Sequence, residues 1–94
     1  MELRFEWHET KASANLRKHR VAFEEAKTVF GDPQSLVIAD REHSEAEDRW
    51  VRIGISGRGR LLVVVYTERD EVIRLISSRR ATIYEATDYE ETNQ

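Results

Sequence analysis

Eight basic residues lie between positions 49 and 80, and all are arginines: Arg49, Arg52, Arg58, Arg60, Arg69, Arg74, Arg79 and Arg80. A guanidinium offers a rigid fork of donors that fits the oxygens of phosphate or carboxylate, so an all-arginine block points to anion recognition. With three acids in the same stretch the block carries +5, and it lies between stretches of −5 (31–48) and −4 (81–94), with +1 over 1–30. The overall charge of −3 therefore conceals a basic centre. The plainer alternative is a solvated sheet face whose arginines pair with the acidic flanks.

Groups able to move protons stand near this block. His43 falls in the loop segment Asp40-Arg41-Glu42-His43-Ser44-Glu45, just ahead of Arg49, and Glu85 and Tyr89 follow Arg79 and Arg80. Cleaving an RNA phosphodiester without a metal needs a base for the 2′-hydroxyl, positive charge for the phosphorane and a donor for the leaving 5′-oxygen. Arg74, Arg79 and Arg80 gather where the last strand meets the closing helix, while Arg49 and Arg52 sit on a neighbouring strand. Trp50 beside them either stacks a base or packs. Glu42 and Glu45, if close, favour the protonated, acid form of His43; the alternative is a surface histidine. His19 shares a helical face with Ala12 and Leu16 and reads as a partly buried histidine. Tyr89, four residues after Glu85, either covers the sheet or presents its phenol. A single site requires Arg49, Arg74, Arg79 and His43 to converge within about 12 Å.

Other chemistries are excluded. With no cysteine there are no disulfides, thiolate metal sites or cysteine nucleophiles. Gly57-Arg58-Gly59 precedes no helix and is not a phosphate-binding loop, and there is no His-Glu-x-x-His. His8, His19 and His43 are widely spaced, so neither a metal nor a cofactor is expected. The longest apolar run, Leu61 to Tyr66, is far short of the roughly 20 residues of a spanning helix, and the N-terminus carries no signal-peptide pattern. The expectation is a cytoplasmic protein without membrane contact.

These residues need a scaffold, and 94 residues make one domain over 1–94, with 91–94 as a frayed tail. Leu3, Phe5 and Trp7 alternate with Arg4, Glu6 and His8, the pattern of a short strand. A helix follows from Thr10 to His19 or Arg20, with Lys11, Arg17 and Lys18 around its apolar face. A second helix carries Phe23, Ala26, Val29 and Phe30 and stops where Gly31 supplies a left-handed cap and Pro33 forbids continuation. Strands are predicted at Ser35–Ala39, Arg49–Ser56, Arg60–Glu68 and Glu71–Ser78, the last three an antiparallel meander. Within them Val51, Ile53 and Ile55 form the core side, leaving Trp50, Arg52, Gly54 and Ser56 on a wet or functional side; Ile73, Leu75 and Ser77 share one parity and Val72, Arg74, Ile76 and Ser78 the other. Thr82-Ile83-Tyr84-Glu85 is a capping box that opens the closing helix. The fold class is α+β: a small antiparallel sheet in the order β-α-α-β-β-β-β-α, with two N-terminal helices and one C-terminal helix.

From Arg4 to about Glu91 the sequence resembles the BrnT toxins, the ribonuclease half of a bacterial type II toxin–antitoxin pair with a RelE-like fold. The resemblance rests on Phe5-Glu6-Trp7, Asn15-Leu16-Arg17-Lys18-His19, Phe23-Glu24-Glu25-Ala26, Val29-Phe30-Gly31-Asp32-Pro33 and Arg49-Trp50-Val51. Its most specific piece is Ile73-Arg74-Leu75-Ile76-Ser77-Ser78-Arg79-Arg80-Ala81-Thr82, followed by Glu85 and Tyr89. It implies a metal-independent endoribonuclease that arrests translation, is neutralised by a BrnA-like ribbon-helix-helix antitoxin and meets operator DNA only through that antitoxin. It also implies Arg74 and Arg79 as phosphate and transition-state ligands, and Tyr89 or Glu85 in proton transfer or positioning. His43 completes the catalytic set, and Arg49, Trp50, Arg52, Arg80 and Lys18 are the RNA contacts. A non-catalytic module or inactive relic that docks a protein through its arginine face is the competing reading. Two departures fall at one junction: Arg20 stands where glycine is expected and Ala22 where serine would cap the second helix, each costing about 1 kcal/mol.

Overall fold

The computed structural model describes residues 3–43 and 48–94, the side chain of His43 excepted. Strand β1 spans Arg4–Glu6, helix α1 Glu9–His19 and the single-turn helix α2 Phe23–Ala26, which tightens into a 3-10 turn at Lys27–Gly31. Strand β2 (Leu36–Ala39) leads through a 3-10 turn at Arg41–His43 to β3 (Arg49–Ile55), β4 (Leu61–Arg69), β5 (Val72–Arg80) and helix α3 (Ile83–Thr92). The sheet order is β1-β5-β4-β3-β2, antiparallel except for the parallel pair of β1 with β5. The expected element order holds, and each strand boundary of β2 to β5 lies within two residues of its prediction.

One face of the sheet is covered by α1, α2 and the first 3-10 turn. Val21, Phe23, Ala26 and Val29 bury against Leu62, Val64, Tyr66, Ile73 and Leu75, with Phe5, Trp7, Phe30 and Trp50 packed around them. Phe30 stands edge-on to both Phe5 and Tyr66, at centroid distances of 5.1 and 4.8 Å. Gly54 is required where this layer approaches most closely: a Cβ there would come within 2.9 Å of Ser35 Cβ and Val29 Cγ1.

The structure reverses the predicted sides of β3. Trp50, Arg52 and Gly54 pair across β4 with Tyr66, Val64 and Leu62, so they belong to the helix-covered core face, and Val51, Ile53 and Ile55 point the other way. Alternation alone misassigned the faces because both are largely apolar and Arg52 is folded into the core, its guanidinium 4.7 Å above the Phe30 ring. Further along the sheet, a register shift between Val65 and Tyr66 leaves Ile76 without a partner in β4. This bulge moves Ser78 to the face of Ile73 and Leu75, and Ser77 to that of Arg74.

Four further expectations are corrected. Gly31 is not left-handed; the left-handed residue after a helix is Arg20, at φ 60. The second helix, which lacks a side-chain cap at Ala22 as expected, ends as an α-helix at Ala26, and the remainder of the predicted helix is a 3-10 turn. Buried Asn15, rather than Leu16, faces inward from α1: its Nδ2 donates to Val21 O (2.9 Å) and Ser78 O (2.8 Å), and its Oδ1 accepts from Ser78 N (3.0 Å). The tail is tied down, since α3 runs to Thr92 and Asn93 Nδ2 donates to Gln34 O at 3.0 Å.

Candidate active site

Directly paired residues of neighbouring strands project to the same face, so the register places the arginines. Arg49 pairs with Thr67, Thr67 with Arg74 and Arg74 with Glu6, forming one row across β3, β4, β5 and β1 on the face away from α1 and α2. Arg49 and Arg74 thus flank Thr67, their backbones two strand spacings or roughly 10 Å apart. Arg74 Nη1 lies 3.2 Å from Glu6 Oε1, and both side chains are about half exposed. The loop carrying His43 rises from this end of the sheet, because Asp40 N donates to Arg49 O at 2.8 Å. The His43 side chain, with Ser44 and Glu45, lies outside the described residues.

Arg79 is on the same face but not in the same row. It pairs with Val63, four residues before Thr67 on β4, which is about 13 Å along the strand. There α3 crosses the sheet, opened by the capping box in which Glu85 N donates to Thr82 Oγ1 and Thr82 N to Glu85 Oε1. The Arg79 fork is filled by Glu85 through bonds of 2.7 and 2.8 Å. That guanidinium, aided by the Thr82 N–H, holds the Glu85 carboxyl at about 2 in spite of its burial. Tyr89 donates its hydroxyl to Asp32 Oδ2 at 2.6 Å, and this bond, with burial and the adjacent charge, raises its phenol to about 12. Asp32 is pushed upward by burial, but donors from Ile55 N, Tyr89 and Gln34 N, with the charge of Arg52, leave it below the usual range. Glu85 and Tyr89 are therefore held in single protonation states, which suits anchoring more than proton transfer.

The remaining predicted contacts lie elsewhere. Arg52 donates to Ser35 Oγ at 2.6 Å and to the Tyr66 hydroxyl at 3.4 Å beneath the helical layer, and Trp50 packs on the same layer; both are removed from the Arg49 and Arg74 face. Arg80 pairs with Leu62 and so projects to the opposite face from Arg79, the side on which α1 carries Lys18. Arg58 and Arg60 converge on buried Glu25, which Arg60 and the Ser56 hydroxyl hold ionised against burial.

Four residues at the open end were missed. Arg4, Glu6, Thr67 and Arg69 line, with Arg74, a cleft of about 400 Å³. Arg4 belongs to it only because β1 pairs with β5, a contact between segments some 68 residues apart that no local pattern reveals. Thr67 read as an ordinary strand residue just past the apolar run.

A five-stranded sheet with helices behind it and arginines on its open face defines a small α+β protein with a cationic open face. Residues 7–85 match the family described as "Ribonuclease toxin, BrnT, of type II toxin-antitoxin system", and the chain belongs to that family. Membership implies an RNA substrate and an antitoxin partner. The crystal structure of the Brucella abortus ribonuclease toxin BrnT has the same fold, with a TM-score of 0.66, 20% identity, and coverage of 86% of this chain and 99% of that one. No curated protein sequence matches the chain. Among the described residues no helix is long and apolar enough to cross a membrane.

Proposed function

We propose that the chain is an endoribonuclease toxin that cleaves RNA without a metal, inhibits translation in the cytoplasm, and works at the open end of the sheet. The observation that carries this reading is the row Glu6, Arg74, Thr67, Arg49. Two forked cations flank a small hydroxyl residue, where they can hold a phosphodiester and meet the charge that develops on the phosphorane. Among the described residues, Glu6 is the carboxylate in that row. It takes the proton from the 2′-hydroxyl as the 2′-oxygen bonds to phosphorus, the bond to the 5′-oxygen breaks, and His43 returns a proton to that oxygen. The products are a 2′,3′-cyclic phosphate and a 5′-hydroxyl. Arg79 contributes by anchoring α3 against the sheet. A BrnA-like ribbon-helix-helix antitoxin is the expected partner, with operator DNA reached only through it.

The test is incubation of purified protein with RNA in excess chelator beside an Arg74→Ala variant. Cyclic-phosphate ends from the parent and about a hundredfold slower cleavage by the variant are expected. No cleavage by the parent, or equal cleavage by both, ends this reading.

A further inference from the structure

The cationic pattern at the open end repeats once. Arg69 pairs with Val72, and Val72 with Arg4, so Arg69 and Arg4 flank Val72 as Arg49 and Arg74 flank Thr67. The second row lies one pleat repeat further along β4 and β5 and one strand nearer the β1 edge, which sets the two row centres roughly 8 Å apart. That is comparable with one nucleotide step of an extended single strand. Arg4, Val72 and Arg69 of the second row line one cleft with Glu6, Thr67 and Arg74 of the first.

Five other arginines are engaged differently from this pair. Arg52 lies under the helical layer, Arg58 and Arg60 face Glu25, Arg74 contacts Glu6 and Arg79 is filled by Glu85. Arg4 and Arg69 are exposed, and among the described residues neither has an ion pair. Two unneutralised guanidinium groups one nucleotide from a phosphate-holding pair form a subsite for the adjacent phosphate. Glu6 and Asp70 line the same cleft.

We infer that Arg4 and Arg69 form a second phosphate subsite, which holds the nucleotide next to the cleaved bond and makes the protein a reader of single-stranded RNA longer than a dinucleotide. This rests on the proposed cleavage at the Arg49 and Arg74 row. The experiment compares the parent, an Arg4→Ala/Arg69→Ala variant and a charge-matched Lys11→Ala/Arg17→Ala control on two substrates, a dinucleotide with one phosphate and an eight-residue single strand. Binding of a 2′-O-methyl octamer, which cannot be cleaved, is titrated with salt in parallel. The variant should match the parent on the dinucleotide, show a raised KM with little change in kcat on the octamer, and have a salt slope about 0.7 smaller for the one phosphate lost. The control should behave as the parent. Equal octamer KM and equal slope for variant and parent overturn the subsite while leaving cleavage standing, as does an equal loss on both substrates. A parent that cleaves neither substrate, yet shows the slope difference, retains the subsite and removes the proposed cleavage.

Discussion

Two arginines on one strand, five residues apart and on the same face, end in opposite circumstances. Arg79 meets the first turn of α3, where Glu85 is already fixed by the Thr82 capping box, and both oxygens of a preset carboxylate close on its fork. Arg74 meets Glu6 on a three-residue edge strand, through a single 3.2 Å contact with both partners half in water. A bidentate pair with a pre-oriented, partly buried partner is a structural link, whereas an exposed pair held by one contact is worth little and yields readily to a phosphate. The covered end of the face thus serves the fold, while the open end leaves Arg74 half exposed to solvent.

The largest contrast is expected in activity. Arg74→Ala should lose about a hundredfold in cleavage with its urea midpoint barely moved, since an exposed pair contributes within about 1 kcal/mol. A large drop in stability there would erase the distinction. Arg79→Ala should instead destabilise by about 1–3 kcal/mol in equilibrium unfolding, because Glu85 is left partly buried without its fork; restoration by a second change, Glu85→Gln, measures the coupling. Tyr89→Phe, which frees Asp32 from one donor, should cost about 1 kcal/mol. The smallest effects belong to the α1–α2 junction. Arg20→Gly relieves a left-handed backbone and Ala22→Ser supplies a missing cap, each adding up to about 1 kcal/mol without altering cleavage. An Ala22→Ser chain that melts no higher than the parent removes the capping argument.

Acid and base act on the covered end from opposite sides. Glu85 sits at about 2 in the folded chain against an ordinary 4.5, so its stabilisation is complete above pH 4.5 and is lost as pH falls toward 2. Tyr89 is raised from 10.0 to about 12, so its contribution is complete below pH 10 and is lost as pH climbs toward 12. In the Arg79→Ala chain the acid-side loss should shrink, as unfolding midpoints taken across pH would report; an unchanged acid limb argues against the Glu85 link.

Local signals carried much of the scaffold. The alternation at Phe5 and Trp7, the Thr82 to Glu85 box and the apolar run of β4 each predicted their element, because a strand's period, a cap's hydrogen bonds and a buried run are properties of a few adjacent residues. The odd chemistry at Arg20 was also visible, and the structure places that residue in the left-handed region. The faces of β3 were not legible, since Arg52 can be either a wet cation or a core residue stacked on Phe30, and only the helical layer decides between them. Nor was the bulge at Ile76, which breaks the two-residue period and changes which serine of β5 faces the core.

The arginine-only composition of residues 49–80, the acidic flanks and the element order follow from the chain itself, because side-chain chemistry and local backbone preference are written residue by residue. Which arginines stand together is decided by tertiary structure alone. Register across four strands joins Glu6, Arg74, Thr67 and Arg49 in a row, the docking of α3 takes Arg79 out of it, and the parallel pairing of β1 brings in Arg4. Charge can be counted along a sequence, but whether a guanidinium meets a carboxylate or water depends on neighbours that only the folded sheet supplies.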